Sequence, residues 1–247
     1  MDIKELESGI DPQVHWYYQT KKIPFEKFVL DVVKANRNPV NLVDVGSGSG
    51  FFMHEIDRDF PNAFKKAFLV DIEYSDKEIE ETKGSRFEKL RELPDTIENS
   101  VVVLMDVLEH LESDLNMLTE IRKRCVGKNY FFITVPAFKS VWSGHDVYLG
   151  HYRRYTRKTL REVLKKAGYS IQSVHYLYGL IFPLVWIYRR FQKDRMNPKS
   201  DMSAVGAGTN KALKLINSLE MKIGSANTYF GLTCSATGEI SQPKELR

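Results

Sequence analysis

The stretch Asn41-Leu42-Val43-Asp44-Val45-Gly46-Ser47-Gly48-Ser49-Gly50 constrains this chain more than any other. A short apolar run with one acid inside it passes directly into a turn of alternating glycines. Phe51, Phe52, Ile56 and Phe60 then recur at helical spacing. Glycine has no Cβ, so the backbone can turn tightly and a ligand can lie against the main chain. The following helix aims its unpaired N–H groups at whatever occupies the turn. Strand, glycine turn and helix in this order mark a nucleotide-type cofactor site in an α/β protein.

Spacing narrows the cofactor. In a dinucleotide fingerprint, G-x-G-x-x-G, the third glycine would fall on Phe51, whose bulk opposes a close pyrophosphate approach. No Lys-Ser/Thr pair follows the glycines, so a P-loop is excluded. Asp44, just before the turn, suits a ligand with a positive charge or free ammonium.

The remaining pattern alternates strands and helices. Phe25, Phe28, Val29, Val32 and Val33 predict a helix over 24–36, behind a polar lead with an aromatic knot, His15-Trp16-Tyr17-Tyr18. Strands are predicted at 41–45, 66–71, 85–88, 100–105, 130–135, 170–177 and 229–236, and helices at 49–59, 113–125, 157–167 and 210–223. The stretch 75–83 reads as helix or loop. Such alternation predicts a parallel sheet covered on both faces. Residues 193–210, with few large apolar groups, read as a mobile loop.

Composition excludes several classes. An apolar fraction of 43% supports a real core, and a net charge of +4 over 247 residues is too mild to imply nucleic acid. Cys125 and Cys234 form no C-x-x-C pair, disulfide framework or zinc pattern, which points to a reducing cytosol. The first residues carry no signal-peptide core, and no apolar run is long enough to span a bilayer. No residues have metal-ligand spacing along the chain, so no metal is expected and activity should survive chelators.

Val43-Asp44-Val45-Gly46-Ser47-Gly48-Ser49-Gly50 resembles the first motif of the class I S-adenosylmethionine-dependent methyltransferases. Ala67-Phe68-Leu69-Val70-Asp71 resembles the end of their second strand, and Val101 to Leu111 their fourth strand with its loop. The resemblance implies a Rossmann-like seven-stranded sheet, mostly parallel, with the last two strands in an antiparallel hairpin at one edge. It implies S-adenosylmethionine as cofactor, held by Asp44, Gly46, Ser47, Gly48, Gly50, Asp71, Ile72, Met105 and Asp106. Asp71 would take both ribose hydroxyls. Lys89, beside Glu88, stands where many relatives carry an adenine-side aspartate. One domain, 1–247, is expected, with a helical lead over 1–38 and an insertion over 178–226 capping the substrate.

The loop after the fifth strand runs from Val135 through Trp142, His145 and Asp146 to His151-Tyr152-Arg153-Arg154-Tyr155. It leaves a strand's carboxyl end, where open parallel sheets bind ligands. With His15-Trp16-Tyr17 and Gly231-Leu232-Thr233, it resembles a bacterial subgroup tied to cell-surface polysaccharide or lipid-linked sugar metabolism. The acceptor implied is a hydroxyl of a sugar, glycan or related small molecule. Methylation of a quinone-like aromatic and a non-catalytic cofactor-binding scaffold are the rivals.

A hydroxyl acceptor needs a base, for which His145 and His151 are candidates, with Asp106 lining the transfer pocket. His110 reads as structural. Trp16, Tyr17, Trp142, Asp146, Arg153, Arg154 and Tyr155 are candidate substrate contacts, the arginines as an anion clamp. Segment 178–190 reads first as a buried helix or cap. Its Trp186, Tyr188, Arg189 and Arg190 also suit a peripheral membrane contact.

Overall fold

The apolar runs become the middle of one sheet, seen in a computed structural model that describes residues 10–191, 196–200, 205–223 and 227–240. Its strands are β1 (Val40–Val45), β2 (Phe64–Val70), β3 (Phe87–Leu90), β5 (Ser100–Met105), β7 (Asn129–Pro136), β8 (Tyr169–Leu177) and β9 (Thr233–Ile240). Two short strands, β4 (Ile97–Glu98) and β6 (Cys125–Val126), pair apart from it. The sheet order is β3-β2-β1-β5-β7-β9-β8. The first five strands in that order are parallel, and β9 runs antiparallel to both β7 and β8. This is the seven-stranded, mostly parallel sheet with an antiparallel edge hairpin that the sequence implied.

Alternation along each central strand sends side chains to two cores. Val43, Val45, Val102 and Leu104 join Leu118 and Ile121 of α4 (Asp114–Arg124) and Leu160 and Leu164 of α6 (Arg157–Lys166). Leu42, Val101 and Val103 face Phe25, Val29 and Val32 of α1 (Trp16–Asn36) and Met53 and Ile56 of α2 (Phe51–Asp59). The remaining helices are α3 (Asp76–Thr82), α5 (Gly144–Leu149), α7 (Phe182–Phe191) and α8 (Ala207–Ile223). From β1 the chain builds outward through β2 and β3, then crosses to β5 on the other side. The carboxyl ends of β1 and β5 therefore flank the crevice where open α/β sheets bind ligands.

Several boundaries differ from the sequence reading, each for a tertiary reason. Helix α1 starts at Trp16 rather than 24 and runs through Pro24. Its first turns are held from outside: Tyr17 stacks on Tyr178 at 5.5 Å, and Lys22 pairs with Glu55 at 2.9 Å. These contacts override the helix-breaking tendency of an internal proline. The last strand lies at 233–240, not 229–236. Tyr229 and Phe230 are exposed, whereas Thr237, Gly238 and Glu239 pair with both β7 and β8 despite their polarity. Helix α8 starts at Ala207, inside the stretch expected to be a loop. Of that stretch, 193–195 and 201–204 lie outside the described residues, as do 1–9 of the N-terminal lead and 224–226 of the insertion. The 136–155 loop contains a 3-10 turn, Lys139–Val141, and α5.

Candidate active site

A cleft of about 1390 Å³ opens at the carboxyl ends of β1, β2, β5 and β7. One end is the glycine loop. Gly46, Gly48 and Gly50 adopt φ of 69°, 52° and 69°. A Cβ on Gly46 would stand 2.7 Å from Val107 Cγ2, so the loop can close against the β5 loop only without a side chain there. Val70 fixes the turn by accepting from the N–H groups of Gly46 (2.8 Å) and Ser47 (3.1 Å). Ser47 is buried and shares a 2.8 Å hydrogen bond with the Tyr74 hydroxyl, which also donates to Gly48 O.

The two acids of this end differ. Asp71 lines the cleft and accepts from Gly48 N at 2.8 Å and Glu73 N at 3.0 Å. Asp44 lies directly before the cleft residues Val45 and Gly46 and is almost fully buried. Burial pushes its carboxyl up to about 7, and the nearby Asp71 carboxylate adds to the rise. Ile72 and Met105 line the cleft beside them, whereas Ser47, Gly48 and Gly50 form the turn behind it.

The floor begins at Asp106, directly after β5, in a left-handed conformation with φ 58°. Its N–H donates to Thr134 O at 2.9 Å. One carboxylate oxygen accepts from Tyr17 OH at 3.2 Å and forms an ion pair with Lys21. Lys21 also donates to Tyr17 OH at 3.0 Å. The front of α1 thus delivers Trp16, Tyr17 and Lys21 to the cleft. Sequence reasoning missed Lys21. Its signal was the four-residue spacing from Tyr17, which puts the two on one helical face once the helix is known to start at Trp16.

The loop after β7 divides sharply. His145, His151 and Arg154 line the cleft. Asp146 and Tyr155, expected as substrate contacts, are interior instead. Asp146 is fully buried and accepts from His151 Nδ1 (2.9 Å), Arg154 Nε (2.7 Å), Arg154 Nη2 (2.9 Å) and Ser143 N (2.8 Å). Burial opposes its charge, but these donors outweigh burial and hold its carboxyl far below the usual range. Tyr155 belongs to the core and donates to Asp114 Oδ2 at 2.7 Å. Arg153 turns to Glu112 O (2.6 Å) and Asp114 (3.3 Å), so the two arginines form no joint clamp. Trp142 is half-buried and is not among the cleft residues.

Under His151 lies a group that sequence spacing could not reveal. Glu109 and His110 sit in the 3-10 turn Leu108–His110 that follows β5. Ligand-type atoms of Glu109, His110 and His151 all lie within 4.8 Å of one another. Glu109 is 0% exposed, and neither of its carboxylate oxygens has a hydrogen-bond partner on another residue. Burial raises its carboxyl to about 8. His110, expected to be structural, lines the cleft with its ring edge-on to His151 at 4.6 Å.

Helix α7 is not the buried helix that its apolarity favoured. Tyr178 is buried, but no residue of α7 is, and Leu184 and Phe191 are 69% and 79% exposed. Ile181, Val185, Tyr188 and Arg189 border the cleft. No helix among the described residues is long and apolar enough to cross a membrane.

The glycine-loop end fits the donor that the motifs imply. A buried acid titrating near neutrality suits an ammonium, a half-buried carboxylate on the next strand suits a diol, and the bare backbone between them admits close contact. The sequence profile described as "Methyltransferase domain" covers residues 16–174. The chain belongs to the class I S-adenosylmethionine-dependent methyltransferases. Solved structures share the methyltransferase's fold at low identity. An S-adenosylmethionine-dependent methyltransferase from Mesorhizobium loti superposes with a TM-score of 0.54 at 11% identity, over 93% of this chain and 100% of that one. A candidate sarcosine dimethylglycine methyltransferase from Galdieria sulphuraria gives 0.52 at 12%, over 88% and 85%. A chain of the complex between the Haloferax volcanii Trm112 methyltransferase activator and a candidate methyltransferase gives 0.50 at 17%, over 90% and 94%. Comparison with curated proteins gave no match.

Proposed function

We propose that this methyltransferase acts on a hydroxyl of a small polar acceptor, a sugar, a glycan or a lipid-linked relative. The observation that carries the reading is the contrast between the two ends of the cleft. One end is bare glycine backbone with Asp44 and Asp71. The other is a floor of Lys21, Asp106, Glu109, His110 and His151. Asp44, Gly46, Ser47, Gly48, Gly50, Asp71, Ile72, Met105 and Asp106 are assigned to S-adenosylmethionine, which when bound supplies an electrophilic methyl group.

The chain's own task is then to position the acceptor oxygen and remove its proton. His145 takes the proton: it lines the cleft and is only half-buried, so it can exchange with water. His151 positions the oxygen, because Asp146 fixes its ring. Trp16 and Tyr17 form the acceptor's wall, and the insertion over 178–226 is its cap within a single domain. Support for the cap comes from α8, whose Asn210 accepts from Trp16 N at 2.9 Å and whose Glu220 accepts from Gly179 N at 2.6 Å.

The test is a panel of sugars, glycans, quinols and small phenols, read by S-adenosylhomocysteine release and acceptor mass. A gain of one methyl on an alcohol supports the reading. Turnover confined to phenols or quinols replaces it with the aromatic acceptor.

A second reading concerns location. Leu184, Ile187 and Phe191 of α7 and Leu215, Ile216 and Leu219 of α8 are exposed, with Arg190, Lys211 and Lys214 among them. This pattern supports peripheral contact with an anionic lipid surface. Sedimentation with phosphatidylglycerol vesicles should carry the protein down, and an unchanged supernatant would refute the contact.

A further inference from the structure

We propose that Glu109, His110 and His151 form a binding site for one divalent transition-metal ion of the zinc class. The spacing of titratable residues along the chain gave no hint of it, because Glu109 and His151 are brought together only by the return of the β7 loop over the end of β5. Tyr152 N donates to Glu109 O at 2.8 Å and anchors that return.

Three independent features point to an ion. Ligand-type atoms of the three side chains lie within 4.8 Å of one another, so small side-chain shifts bring them to the separations of about 3.4 Å set by tetrahedral bonds of about 2.1 Å. Two of the three present buried polar atoms without hydrogen-bond partners: both Glu109 oxygens and His151 Nε2. A buried carboxyl without a partner is relieved either by holding its proton or by a cation that displaces that proton. Lys21 and Arg154 are within electrostatic reach, but the ammonium is engaged by Asp106 and Tyr17 and the guanidinium by Asp146.

The third feature is how His151 is held. A carboxylate only accepts, so His151 Nδ1 donates its proton to Asp146, and the buried, unpartnered Nε2 is the nitrogen left for an ion. Arg154 and Ser143 N hold Asp146 in turn. A histidine ligand whose other nitrogen donates to a fixed carboxylate is the usual support of a metal-bound imidazole. Two imidazoles and one carboxylate leave a fourth tetrahedral position open.

That open position gives His151 its positioning role, and this use rests on the hydroxyl-acceptor reading above. An ion held by Glu109, His110 and His151 would acidify an acceptor hydroxyl at its open position. His145, on the same cleft, would take the hydroxyl proton while the oxygen's electron pair goes to the donor's methyl carbon and the S–CH3 bond breaks to leave S-adenosylhomocysteine.

Metal binding can be read without any acceptor. The full chain is stripped with chelator, then titrated with zinc chloride in a calorimeter. One zinc ion per chain is expected. Glu109→Gln and His151→Ala should each weaken it by at least the roughly 10–100-fold typical of losing even a partner behind a ligand. S-adenosylhomocysteine affinity, measured on the same samples, should be unchanged and reports that the variants are folded. X-ray absorption of zinc-loaded wild type provides a readout independent of any variant, with two imidazoles expected in the first shell. No stoichiometric zinc, zinc unaffected by both substitutions in folded variants, or a shell without imidazole would overturn the site. A failed alcohol screen would leave the zinc result standing, and a failed zinc titration would leave the alcohol reading standing.

Discussion

Asp44→Asn should stabilise the ligand-free methyltransferase as pH rises while weakening its hold on S-adenosylhomocysteine. Burial pushes the Asp44 carboxyl from an ordinary 3.8 up to about 7. The folded state thus holds this proton more tightly than the unfolded chain. Its stabilising effect is full below about pH 4 and is lost as pH rises through about 7. Three pKa units at 1.36 kcal/mol each give roughly 4 kcal/mol as an upper bound on that loss. Asparagine has no such titration. Any fixed cost of burying an amide is constant with pH, so the informative quantity is the slope of the difference between variant and wild type. At about 2–4 °C per kcal/mol for a chain of this size, the Tm difference should move in favour of Asp44→Asn by up to roughly 8–16 °C between pH 4 and pH 8.

Differential scanning fluorimetry across that range is the assay, with calorimetric S-adenosylhomocysteine titrations beside it. Wild-type affinity should rise as Asp44 ionises, because the ligand's ammonium then meets a carboxylate. The variant's affinity should be lower and insensitive to that ionisation. A Tm difference that stays flat with pH would refute the argument that burial governs this acid. Unchanged affinity would refute its role toward the ammonium.

Three further outcomes follow from local geometry. Gly46→Ala forces a left-handed Cβ, about 1–2 kcal/mol, into contact with Val107, about 1–3 kcal/mol more, so chemical denaturation should show a loss of about 2–5 kcal/mol. Arg154→Ala removes two of the four donors that the described residues give the buried Asp146 charge, and its only arginine partner among them, and should cost about 3–5 kcal/mol, whereas Arg153→Ala, partly exposed, should cost about 0–1 kcal/mol and leave the acceptor KM near normal; a raised KM for the latter would restore the clamp. His145→Ala should lower turnover by about 10²–10⁴-fold at unchanged S-adenosylhomocysteine affinity, and near-normal turnover would remove it as the base.

What the sequence made legible was what short windows contain. The strand-turn-helix at 41–60 and the apolar runs of β5 and β7 are patterns of adjacent residues, and burial on both faces leaves them little choice of structure. The glycine turn is equally local, since each φ follows from a missing Cβ. The polar floor was not legible in the same way. His151 and Glu109 are separated by 42 positions, and their approach depends on how the β7 loop returns. Arg153 and Arg154 are adjacent in sequence yet leave on opposite errands, one to Asp114 and one to Asp146. The start of α1 failed for a related reason: Pro24 is a strong local signal, and it is outvoted by partners distant in sequence, Tyr178 against Tyr17 and Glu55 against Lys22.

The distribution of backbone strain ties these parts together. Among the described residues, five besides glycine have positive φ, and three of them follow strand ends at the cleft side of the sheet. Asp106 follows β5, Phe138 follows β7 and Tyr178 follows β8. Each such position costs about 1–3 kcal/mol and persists only when its surroundings over-determine it. The surroundings are visible in each case. Asp106 is pinned by Thr134, Lys21 and Tyr17. Phe138 receives Tyr155 O on its N–H at 2.9 Å and packs against Tyr176 at 4.8 Å. Tyr178 donates to Tyr17 O at 3.2 Å and stacks on the Tyr17 ring. Of the pinning partners, Tyr17 and Lys21 line the cleft themselves, and Thr134, Tyr155 and Tyr176 are buried behind it. A chain that only needed to close its sheet could have placed glycine at these three positions, as it did at 46, 48 and 50. Side chains there instead lock α1 and the β7 loop in place around the floor, so that Lys21, Asp106, Glu109 and His151 meet at fixed positions before any ligand arrives.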